Sequence, residues 1–222
     1  MAWFRRAPLV SDDMAGWIEE SFDWVQDERP GWWAAATLVT PTKAFFTAPG
    51  GEDHTTAKLV LDDLRRILGI EAAIALERLP VLPDELSHEY GVTSRVAGEY
   101  WHDETDPMIT YDPKLMRRPV SFINTMAHEL MHARLALVVD ILPGGAGAHE
   151  LATDLHCIIA GFGLFQLNAA EQDGWSGYMS QAARARALAE FLHRKSMDPT
   201  EALDRIGTRP GKLLRRALKE LH

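Results

Sequence analysis

Val120-Ser121-Phe122-Ile123-Asn124-Thr125-Met126-Ala127-His128-Glu129-Leu130-Met131-His132 follows Pro119 and continues without a breaker to Asp140. Ile123, Met126, Ala127, Leu130 and Leu135 recur at helical spacing, which predicts a largely buried helix over Val120–Asp140. Pro143-Gly144-Gly145-Ala146-Gly147 then interrupts the chain, and a second helix is expected from about His149 to Phe165. Further helices are expected over Ser180–His193, Thr200–Ile206 and Lys212–Leu221. Upstream of Pro119 the pattern is mixed. Asp53–Leu68 reads as a helix with Ala57, Leu61, Leu64 and Leu68 on one face and Gly69 as its stop. Ala34–Thr40, Ala72–Leu79 (with a helix as its alternative), Val92–Trp101 and Met108–Tyr111 read as strands, with a loop over Pro80–Pro83 and a turn over Asp103–Pro107. The expected fold class is therefore α+β. An N-terminal lobe, residues 1–116, would hold a small mixed sheet with helices. A helical lobe, residues 117–222, would carry the His-Glu-x-x-His helix, the two forming one compact catalytic unit.

The chemistry-bearing residues sit in the same two helices. Positions i and i+4 of a helix lie about 40° apart, so His128 and His132 project from one face within reach of one metal ion. Zinc accepts imidazole nitrogen and favours four ligands in tetrahedral geometry. Glu129 points to the side of the pair, where its carboxylate can take a proton from an attacking water without occupying a coordination position. A third ligand must come from elsewhere. Glu150, Asp154 and Cys157 share one face of the following helix, so spacing admits each of them, and His149 is a minor alternative. Glu150 is favoured because an antiparallel helix after a short glycine loop starts near His132. Asp154, one turn on, would then bond the other nitrogen of a ligating histidine and fix its tautomer. A fourth protein ligand such as Cys157 or His149 would instead close the water position.

His128-Glu129-Leu130-Met131-His132 with Glu150-Leu151-Ala152-Thr153-Asp154 resembles the gluzincin-type zinc metallopeptidases over about residues 108–165. The remainder resembles uncharacterised bacterial HExxH proteins. The resemblance implies a zincin-like fold, Zn²⁺ on His128, His132 and Glu150, and Glu129 as general base. Met108-Ile109-Thr110-Tyr111 would line the substrate cleft. Tyr178, with Tyr111 and His193 as alternatives, would supply the donor to the developing oxyanion. The expected function is a zinc-dependent hydrolase, a metallopeptidase cleaving a peptide amide bond in a peptide or protein substrate. The alternatives are a non-catalytic zinc-binding regulatory or interaction module and a small-molecule hydrolase with the same metal chemistry.

Composition narrows the partners. The 222 residues carry 23 Lys+Arg against 32 Asp+Glu, a net charge of −9. Nucleic-acid binders usually carry the opposite excess to neutralise phosphate, so that class is demoted and no nucleic-acid partner is expected. No apolar run approaches the roughly 20 residues a membrane span requires. With a single cysteine and no signal-peptide pattern at the start, the expected location is the cytoplasm. The glycine-rich loop lacks the Lys-Ser/Thr of a phosphate loop and joins two helices. Trp3, Trp17, Trp24, Trp32 and Trp33 crowd the first 33 residues, where Ser11 would cap an amphipathic helix ended by Pro30-Gly31. That segment either closes the core or docks a protein partner. Arg184, Arg186, Arg194 and Lys195 are expected to form a solvated face, and His54, His88, His102 and His222 to be exposed.

Overall fold

The computed structural model describes residues 7–79, 98–101, 107–172 and 178–221. Helices α1 (Asp12–Glu28), α2 (Pro30–Ala35) and α3 (His54–Leu68) come first. Strands β1 (Ala75–Arg78), β2 (Gly98–Trp101) and β3 (Met108–Tyr111) and helix α4 (Pro119–Leu135) follow. Then come α5 (His149–Cys157), α6 (Gly163–Gln172), α7 (Gln181–Arg194), α8 (Thr200–Asp204) and α9 (Thr208–Glu220). The class is α+β. The elements pack into two compact units, residues 41–137 and residues 1–40 with 138–222. This differs from a division at 116/117: the His-Glu-x-x-His helix packs with the sheet, and the tryptophan-rich start packs with the C-terminal helices. Apolar periodicity shows that a helix has a buried face, but not which element covers it. Among the described residues, no helix is long and apolar enough to cross a membrane. The expected Pro80–Pro83 loop, residues 92–97 of the expected strand, most of the turn after it, His88, His102 and His222 lie outside the described residues.

In the unit formed by residues 41–137, Asp53 caps α3 by accepting from the Thr56 N–H at 3.0 Å. Gly69 ends the helix in the left-handed conformation, at φ +65°, which lets its N–H turn back onto the last carbonyls. The sheet order is β1-β3-β2, with β1 parallel and β2 antiparallel to β3. Helix α4 lies against α3 and β2. It starts on Pro119, whose missing N–H costs nothing in a first turn. Its side chains Phe122, Met126, Ala127, Leu130 and Leu135 are buried. The helix stops at Leu135, short of Asp140; Leu137 is already 95% exposed, so the apolar face has ended.

In the other unit, Ser11 caps α1 through the Met14 N–H, and Ile18, Phe22 and Val25 enter a core shared with α5, α6, α7 and α9. Trp17, Trp24, Trp32 and Trp33 pack half-buried against that core. The expected strand over Ala34–Thr40 is not one. Its first residues finish α2, and Leu38–Thr40 form a buried segment outside any strand of the described residues. The Val39 N–H donates instead to the Gly161 carbonyl at 3.0 Å. Gly161, at φ +104°, kinks the chain between α5 and α6, so the expected single helix over His149–Phe165 is broken. A Cβ there would lie 1.8 Å from the Thr37 carbonyl oxygen, so only glycine allows the close crossing. The expected solvated basic face on α7 is also corrected. Arg184 and Arg186 are buried, and Lys195 sits 4.1 Å from the centre of the Trp33 ring. Burial alone would raise the pKa of Glu190, but bonds from Arg186 and Arg194 outweigh it and hold the carboxyl below its ordinary range.

Candidate metal centre

His128 and His132 stand one turn apart on α4, and their Nε2 atoms face each other at 3.1 Å. The rings meet edge to face at 85° with centroids 4.7 Å apart. Two facing imidazole nitrogens share one proton at most, and a metal ion can replace that proton. Glu150 lies in the first turn of α5. One ligand atom from each of His128, His132 and Glu150 lies within 4.8 Å of the other two, and all three residues are half-buried. Ligands about 2.0–2.1 Å from a tetrahedral ion are about 3.4 Å apart, so the histidine spacing suits a shared ion. Neither Asp154 nor Cys157 belongs to this group. Cys157 is fully buried and packs as a small core residue.

Glu129, between the two histidines in sequence, is 7% exposed. Tyr178 is 59% exposed, and its backbone N–H donates to Asp154 Oδ2 at 2.8 Å. The same oxygen accepts from the Met179 N–H at 3.0 Å and from Arg184 Nη2 at 2.9 Å. Arg184 also donates to the Gln166 carbonyl at 3.1 Å. Asp154 thus ties the Tyr178–Met179 segment to α5, and Arg184 balances its charge in the interior. Sequence reading missed Arg184. The available signal was spacing: Arg184 and Arg186 lie about 200° apart around a helix, so one solvated face cannot hold both.

The two alternatives to Tyr178 stand differently. His193 is exposed on α7. Tyr111 is fully buried, with its hydroxyl 3.1 Å from Arg78 Nε and 3.0 Å from His54 Nδ1. Arg78 can only donate, so the hydroxyl accepts from it, and the direction of its bond with His54 Nδ1 follows the tautomer of the ring. His54 is half-buried, not exposed as expected, and its ring stacks parallel to that of Tyr111. Burial, with the Lys58 and Arg78 cations adding, pushes the His54 pKa below its ordinary 6.5. The unfolded chain therefore takes up this proton first. Stability from this group is complete above pH 6.5 and declines as pH falls through the lowered folded value. His54→Gln is expected to flatten that part of the urea-stability profile, and superimposable profiles for the two proteins would contradict the assignment.

No protein-family model, curated protein or solved structure matches the chain. The reading of the site rests on its residues.

Proposed function

We propose that the protein is a zinc-dependent hydrolase of zincin-like build, a metallopeptidase that cleaves a peptide amide bond. The observation that carries this reading is the donor set of two imidazoles and one carboxylate, with a buried carboxylate in sequence between the imidazoles. This mixed nitrogen and oxygen set fits Zn²⁺, and three protein ligands leave a position open. An ion held by His128, His132 and Glu150 supplies a Lewis acid that polarises a carbonyl and acidifies water. Glu129 takes a proton from the attacking water and passes it to the leaving amine. Tyr178, with its backbone held by Asp154 and its side chain exposed, is the donor to the developing oxyanion.

Elemental analysis of the purified protein tests the metal. About one zinc per chain is expected, lost in His128→Ala with His132→Ala and severely reduced in Glu150→Gln. Full retention in the double histidine variant would end the reading. Melting curves accompany the assay, because metal binding contributes to folding. Stoichiometric zinc without turnover of any peptide or small amide would instead support the non-catalytic zinc-binding module.

A further inference from the structure

We propose that Trp17 is a positioning residue for the metal centre, its indole holding the glycine turn from which Glu150 emerges. This rests on Glu150 being a metal ligand. The Trp17 Nε1–H donates to the Pro143 carbonyl oxygen at 2.9 Å. The next residue, Gly144, has φ +89°, and a Cβ there would lie 2.8 Å from Ala148 Cβ and 3.2 Å from Trp17 Nε1. The indole and Ala148 therefore close on a backbone position where no side chain fits. Gly145, at φ +61°, continues the turn, with its N–H donating to Leu142 and its carbonyl accepting from Ala148.

Helix α5 begins directly after this turn, and Ala148 gives it no side-chain cap. The His149 N–H donates to the Ala146 carbonyl, so the first turn of α5 is built directly on the backbone of this turn. Glu150 lies in that first turn, so its carboxylate is only as well placed as the turn behind it. Trp17 provides a fixed post. Its helix is anchored on either side by Ser11 at the cap and by Ile18, Phe22 and Val25, each at most 1% exposed. This gives one tryptophan of the N-terminal cluster a role that a phenylalanine could not fill, since phenylalanine has the ring without the donor.

The test is Trp17→Phe, with Gly144→Ala attacking the same contact from the loop side. Zinc affinity is read by competition with a calibrated chelator, and amide exchange at residues 144–150 is read in the metal-free protein. Trp17→Phe is expected to weaken zinc about 3- to 10-fold, the usual effect of one lost hydrogen bond. Exchange at 144–150 should quicken while α7 stays unchanged, and Gly144→Ala should act in the same direction. In a Glu150→Gln background Trp17→Phe should cause no further loss. Unchanged affinity, unchanged exchange, or an equal loss in both backgrounds would overturn the proposal. A wild-type protein that takes up no metal would overturn the metal-centre reading and this ligand-positioning role together. Quickened exchange in Trp17→Phe would then still separate that failure from the absence of the latch.

Discussion

Glu129→Gln is expected to keep the metal and to lower hydrolysis by about 10²–10⁴-fold, the usual cost of losing a general base. Glutamine has nearly the same shape, so the 7%-exposed site on α4 should accept it without repacking. Its amide cannot take a proton from water, however, so the attack step alone fails. The group of side chains that could hold the ion is His128, His132 and Glu150, and Glu129 adds no atom to it. Zinc content and turnover measured on one preparation separate the two effects. Unchanged turnover in this variant would place the chemistry elsewhere. Loss of metal and activity together would show that Glu129 is a ligand.

Asp154→Ala is expected to destabilise the protein by about 3–5 kcal/mol, the cost of stranding a buried charge. Asp154 and Arg184 form an ion pair whose side chains are 2% and 1% exposed. Removing the carboxylate leaves the guanidinium in the core and frees the Tyr178 and Met179 N–H groups. At about 2–4 °C per kcal/mol for a chain of this size, Tm should fall by about 6–20 °C. Adding Arg184→Met should recover much of the loss, because the uncompensated charge is gone, while the freed N–H groups keep recovery incomplete. Urea unfolding of both variants checks this. A double variant as unstable as the single one would show that the bonds to the 178–179 backbone, not the charge, set the cost. Asp154→Asn, which keeps one oxygen acceptor, should fall between them. If Asp154 also orders a ligating histidine, zinc affinity in this variant should drop about 10–100-fold.

Elements with local signals are legible in the residues themselves. Asp53 and Gly69 bracket α3 because a cap and a left-handed stop act within one turn of their own helix. Met108–Tyr111 forms β3 as its residues predict, and helical periodicity puts His128 and His132 on one face, while side-chain rotamers bring their Nε2 atoms together. Packing between distant segments sets the rest. Arg184 is buried because Asp154, thirty positions earlier, offers it a carboxylate oxygen; its neighbours in sequence announce only a charge in an alanine-rich helix. Leu38–Thr40 has the apolar character of a strand, yet the Val39 N–H meets the carbonyl of Gly161. The segment is bonded to a kink between two helices, not to a sheet. Trp17 reads as one apolar position among several, and its donor acquires meaning only where α1 brings it to Pro143. Periodicity records that a face is buried. Which partner buries it, and which polar group that partner satisfies, is settled by packing between segments that the sequence keeps apart.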